Sequence, residues 1–147
     1  MMQASIAKDL AAITALKARY CRTLDTKDWD GFGDCLAEDF TGQYDGMPRA
    51  SKDEPEVAHV AGRKSVADGT AANLQNIPTV HSVYAPEIEI IDETHARGVW
   101  AMRDYLLFPT CAFVGYGHYH EDYVKSNGVW RIQRTHLTRL FVEEEWR

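Results

Sequence analysis

An α+β fold, with helices covering one face of a curved antiparallel sheet, is what this 147-residue sequence predicts. Three observations carry the prediction. Apolar residues recur at intervals of three and four over residues 4–24, the signature of one buried helix stripe. From Ile77 onward aromatic and β-branched residues dominate, and Asn127-Gly128 separates two long runs of them as a hairpin turn would. Helices first and strands afterwards imply segregated layers and not βαβ winding. The length suits one domain, 1–147, around one core.

In order, the first helix covers 4–24 and turns Ile6, Leu10, Ile13, Leu16, Tyr20 and Leu24 inward. A second, shorter helix runs from Asp28-Trp29 to Glu38 with Trp29, Phe32 and Leu36 inward, weakened by Gly31 and Gly33. A short strand follows at 39–45. Residues 46–61 carry two prolines and many charges without periodicity, so they read as a long loop of the kind that forms lids. A third helix is expected over 62–74. Strands are expected near 78–84, 86–92, 95–108, 112–125 and 129–142, with Pro86, Glu93-Thr94 and Ser126-Asn127-Gly128 as breaks.

Composition removes several function classes. A net charge of −6, with the basic residues scattered among acids, opposes nonspecific nucleic-acid binding. No apolar stretch approaches the roughly 20 residues of a bilayer span, and the N-terminus lacks the apolar run of a signal peptide, so the expected location is the cytoplasm, with no membrane partner. Cys21, Cys35 and Cys111 are odd in number, far apart and without a CxxC, which reads as reduced, partly buried thiols.

The run Ala18-Arg19-Tyr20-Cys21-Arg22-Thr23-Leu24-Asp25-Thr26-Lys27-Asp28-Trp29 resembles the first helix of SnoaL-like proteins of the nuclear transport factor 2-like superfamily. The stretch from Gly117-His118-Tyr119-His120-Glu121-Asp122-Tyr123 through Asn127-Gly128-Val129-Trp130-Arg131-Ile132 resembles their last strands. The resemblance implies a cone-shaped α+β barrel with a small apolar pocket at its open end. In the dehydratase-type members (scytalone dehydratase, a bile-acid dehydratase) a Tyr is followed five residues later by an Asp and then by a His on the next major strand. Tyr20, Asp25 and His81 match that pattern, and Asp104 resembles a further acid of the bile-acid branch. The segment 46–61 matches no family pattern.

Each candidate also has a structural reading. On a strand Asp104 shares a face with Trp100, Met102, Leu106 and Phe108, where a carboxylate is costly unless paired or hydrogen-bonded; an arginine such as Arg134 could serve as a purely structural partner. Tyr20 lies on an apolar stripe, as a core tyrosine would. Asp25 closes a helix, where its charge is unfavourable, unless it caps the next one. His81 alone says little; with Asp25 it becomes a base whose ring a carboxylate orients. His118 and His120 share a face, with His136 on the neighbouring strand. They complete no metal-ligand spacing, so no metal is expected, although His118 and His136 are candidates to line the pocket. Trp29, Trp100 and Met102 are expected as further substrate contacts; His59 and His95 read as surface residues. On the last strand Arg134, His136 and Thr138 continue the face of Trp130 and Ile132, while Arg131, Gln133, Thr135, Leu137, Arg139 and Phe141 occupy the opposite face and suit oligomer packing.

The resemblance therefore implies a cofactor-independent lyase acting by dehydratase-type proton abstraction and elimination on a hydrophobic cyclic small molecule. His81 would be the base, Asp25 its orienter, and Tyr20 with a protonated Asp104 the donors. The alternatives are a ketosteroid-isomerase-like isomerase and a noncatalytic binding or assembly module using the same pocket. Epoxide hydrolysis is a further possibility and requires Asp104 to pair with an arginine across the pocket. A homo-oligomer, trimer or dimer, is expected from the sheet face the helices leave open.

Overall fold

The computed structural model describes residues 3–49, 51–54 and 56–147. The predicted helix stripe becomes α1 (Gln3–Asp25), which buries Ile13, Leu16, Tyr20, Cys21 and Leu24. It ends where Lys27 adopts a left-handed φ of 63°, and the Asp28 N–H returns to the Thr23 carbonyl at 2.9 Å. α2 (Trp29–Asp34) is shorter than expected: its two glycines weaken it, and Leu36–Glu38 join the following strand instead. α3 (Arg63–Leu74) starts at Gly62, whose φ of 86° suits glycine.

Six strands form one open, mixed sheet in the order β2-β1-β6-β5-β4-β3. They are β1 (Leu36–Tyr44), β2 (Ala58–Ala61), β3 (Thr79–Ile90), β4 (His95–Phe108), β5 (Cys111–Ser126) and β6 (Val129–Trp146). All neighbours run antiparallel except β1 and β6, which are parallel. Pro86 does not end a strand: the two strands expected on either side of it are one, with a bulge between Tyr84 and Glu87 and Ala85 at φ 49°. The loop expected over 46–61 contributes a short strand, β2, to the sheet edge.

Bulges also decide which side chains of β6 face inward. Register shifts opposite Asp122/Tyr123 and Tyr116/Gly117 insert Gln133 and Leu140 as extra residues. The inward phase therefore runs Trp130 and Ile132, then Thr135 and Leu137. An uninterrupted period of two had placed Leu137 and Arg139 on the outer face, and the first bulge reverses that. α1 lies inside the curve against β3, and α3 packs on α2 and β1. Between them lies the core, in which Phe32, Leu36, Phe40, Met102, Tyr123 and Ile132 are almost completely buried. Cys21, Cys35 and Cys111 are buried free thiols. No helix among the described residues is long and apolar enough to cross a membrane.

Candidate active site

At the open end of the cone, the C-terminus of α1 meets the start of β3. His81 Nδ1 lies 2.7 Å from Asp25 Oδ1, and the His81 backbone N–H donates to Asp25 Oδ2 at 2.8 Å. Thr79 Oγ1 donates to Asp25 Oδ1 at 2.9 Å and itself accepts from Lys27 Nζ at 3.1 Å. A carboxylate accepting at Nδ1 makes that nitrogen the protonated one and leaves Nε2 with a free lone pair. The competing capping role falls elsewhere, because Asp28 caps α2 by accepting from Gly31 N–H at 3.0 Å. Asp25 is thus held at an electrostatically poor helix end by three hydrogen bonds from β3.

Asp104 stands directly opposite His81 in the β3–β4 register. Both of its oxygens accept from Arg139, at 2.7 and 3.1 Å, and the two side chains are 5% and 8% exposed, so the charge is paired rather than left bare. The bidentate contact also removes the donor role expected for Asp104, whose oxygens are occupied as acceptors. Arg134, the structural partner considered from sequence, pairs instead with Asp122 at 3.0 Å. The Asp104–Arg139 pair reaches from β4 to β6 over the intervening β5, which is possible because Gly115 occupies the position beneath it. A Cβ on Gly115 would overlap Arg139 Nη1 and lie 2.6 Å from Asp104 Oδ1. Arg139 Nε also donates to the carbonyls of Asp45 and Gly46 at 3.2 and 3.3 Å, tying this pair to the start of the 46–57 segment.

His81, Asp104 and Arg139 line one cavity of about 500 Å³, with Asp25 behind His81. Its walls include Leu24, Phe32, Val66, Leu106, Phe108 and Leu137, with Tyr20, Tyr44 and Tyr119 as polar-tipped aromatics. Burial pushes the Tyr20 and Tyr119 phenols well above their ordinary range, and Tyr44 upward as well. His59, expected at the surface, is exposed yet contributes to the cavity rim. His95 is exposed and bonded to Asp92 and Thr94.

Of the residues expected from sequence, the fold gathers Tyr20, Asp25, His81 and Asp104 at this end. Five expected substrate contacts lie elsewhere. Trp100 donates to Tyr123 OH at 2.9 Å in the core, and Met102 is fully buried behind Arg139. Trp29 packs edge-on against Phe32 and bonds Gln75. His118 and His136 are on the outer sheet face with His120, where His136 Nε2 contacts Asp45 Oδ2 at 3.0 Å and His120 contacts Thr138 Oγ1 at 3.1 Å. No group of three or more His, Cys, Asp or Glu able to hold a metal occurs among the described residues.

Arg139, Thr79, Tyr44 and Tyr119 escaped the sequence reading. Thr79 had a signal, since it lies two residues before His81 on the same strand face. Arg139 had none, because the bulge that turns it inward is invisible to a simple alternation. Behind the tyrosines is a further surprise. Lys17, 0% exposed on the α1 stripe, pairs with buried Glu121 at 3.0 Å, and Glu121 also accepts from Tyr123 OH and Thr135 Oγ1 at 2.9 Å each.

A half-open α+β cone with helices inside the curve of the sheet and polar groups converging at its mouth is the architecture of the nuclear transport factor 2-like superfamily. Within it the chain belongs to the SnoaL-like domain family, whose profile matches residues 5–136. Among solved structures it is similar to a Novosphingobium aromaticivorans protein named provisionally as a scytalone dehydratase. The two are 18% identical with a TM-score of 0.81, over 97% of this chain and 91% of that one. It is also similar to the hexachlorocyclohexane dehydrochlorinase LinA-type3 of Novosphingobium barchaimii, at 12% identity and TM-score 0.80 over 98% and 94% of the two chains. A Mycobacterium tuberculosis protein of unknown function is 26% identical, with a TM-score of 0.73 over 89% of this chain and 71% of that one. At the identities of the first two, the likeness is one of fold.

Proposed function

We propose that this protein is a cofactor-independent lyase that dehydrates a hydrophobic cyclic small molecule. The observation that carries the reading is the His81–Asp25 contact at 2.7 Å beside a largely apolar cavity. His81 Nε2 takes a proton from the carbon next to a carbonyl, and Asp25 stabilises the imidazolium through Nδ1–H. The C–H electrons pass through an enolate to form the new C=C bond as the β C–O bond breaks. The departing hydroxide takes the proton from the His81 imidazolium, which restores the base and leaves the enone and one water as net products. Tyr20, which lines the same cavity with Tyr44 beside it, is assigned as the donor to the developing negative charge. Asp104 contributes a fixed, charge-neutralised wall with Arg139, which favours an uncharged substrate over an anion.

The family, and the dehydratase and dehydrochlorinase names carried by its structural neighbours, support elimination over isomerisation. A noncatalytic module would not need an oriented imidazole at its pocket. The test is a set of cyclic β-hydroxy ketones followed by enone absorbance, with deuterium exchange at the α-carbon followed in parallel. Exchange without enone would mean isomerase-type chemistry; neither, with ligand bound, would mean a binding module.

A second reading rests on the Asp104–Arg139 pair, which meets the condition for opening an epoxide with water. It is the weaker one, since both Asp104 oxygens are already engaged. Cyclic epoxides in ¹⁸O-labelled water test it through label in a diol product.

A further inference from the structure

The site reading leaves one expensive feature unused. Lys17 and Glu121 form an ion pair with side-chain exposures of 0% and 1%. Pairs of this kind recover little more than their desolvation cost, and apolar replacements of similar volume are often as stable. The Lys17 ammonium lies 3.9 Å from the ring centroid of Tyr20 and 3.6 Å from that of Tyr119. The two rings meet edge to face, with centroids 6.1 Å apart, and both tyrosines line the candidate active-site cavity. Lys17 precedes Tyr20 by one helical turn, so the placement follows from α1 itself.

We propose that Lys17 is a positioning residue of the candidate site: clamped by Glu121 against the faces of Tyr20 and Tyr119, its ammonium polarises both phenols toward proton donation. A cation over a π-face is attracted more strongly as the ring gains electron density, and a phenolate ring is far richer than a phenol ring. The contact is desolvated, which removes the screening that would weaken it in water. Burial opposes ionisation of both hydroxyls, as do Glu121 from β5 and Tyr44 from β1 around Tyr20. Cys21 of α1, Tyr44 of β1 and Asp104 of β4 act on Tyr119 in the same direction, with Arg139 of β6 against them. Lys17 is the cation in direct contact with both rings.

The catalytic consequence rests on the lyase reading; the effect on phenol acidity does not, so the test has two separate arms. In the first, difluorotyrosine replaces Tyr20, because fluorination makes the phenol more acid and offsets part of the opposition from burial. Its ionisation midpoint is then read by ultraviolet titration in the parent protein, Lys17→Met, Lys17→Arg, Glu121→Gln and the double variant Lys17→Met/Glu121→Gln, the double variant being compared with Glu121→Gln so that loss of the carboxylate cancels. Methionine keeps the volume, and the double variant avoids an unpaired buried carboxylate if the single one fails to fold. We expect the midpoint to rise by about one pH unit, a tenfold loss of acidity, without the ammonium, and to be restored in Lys17→Arg. An unmoved midpoint in the folded variants overturns the inference, whatever happens to turnover. In the second arm, enone formation by Lys17→Met/Glu121→Gln should fall about tenfold with KM little changed and melting temperature preserved. A shifted midpoint with unaltered turnover overturns the positioning role. An inactive parent protein would instead count against the lyase reading and leave the first arm to decide phenol acidity.

Discussion

At His81 the functional and structural readings make opposite predictions about rate and stability. His81→Ala should lower turnover by about 10² to 10⁴, a far larger effect than the modest fall in melting temperature expected when a ring only 7% exposed is lost from a cavity wall. Full activity in this variant would end the proposed mechanism. Asp25→Asn should slow the reaction and also destabilise the fold by about 1–3 kcal/mol, because one acceptor serving His81 and Thr79 becomes a donor. Loss of capping is not the cause, as Asp28 caps α2. Gly115→Ala tests the pair opposite. Its methyl group would occupy the space used by Asp104 and Arg139, so the ion pair must open, at a cost of about 1–3 kcal/mol. Denaturant unfolding checks the stability, and unchanged stability would mean that the pair does not depend on the gap.

Elements carry a different set of expectations. On the outer face of β5 and β6, burial and the neighbouring His118 and His136 hold the His120 imidazole below its ordinary value of 6.5. The unfolded chain therefore binds the extra proton first. Stability from this site is present above about pH 6.5 and is lost as pH falls from there through the lower folded value. His120→Gln should flatten that acid limb of melting temperature against pH; an identical slope would remove His120 as its cause. In α3, Gly69 has open space around the position of a Cβ and an ordinary negative φ. Gly69→Ala should stabilise by about 0.5–1 kcal/mol, measured by denaturant unfolding, through helix propensity alone.

For the whole molecule, the open sheet face keeps the expectation of self-association, with Phe141 retained from the residues expected and Leu140 in place of Leu137. Leu137 is buried inside, whereas Leu140 and Phe141 are 70% and 52% exposed, and Phe141 stacks on Tyr116 at 4.6 Å. We expect a homo-oligomer, dimer or trimer, that Leu140→Lys/Phe141→Lys dissociates. Sedimentation showing a monomer at micromolar concentration in the parent chain would remove the expectation.

Local pattern was enough for the helix stripe of α1, the long β4–β5–β6 strands, the Asn127-Gly128 turn and the gross α+β layering, because each depends on side-chain periodicity over a few residues. Resemblance to a family supplied Tyr20, Asp25, His81 and Asp104 as a group, which periodicity could not connect across 85 positions of chain. What remained hidden depends on registration between distant strands. One extra residue at Gln133 turns Arg139 toward Asp104 and sends His136 outward, and only the pairing with β5 shows that residue to be extra. The same holds for Lys17 and Glu121: each is a buried charge, and folding makes them tolerable by bringing one to the other.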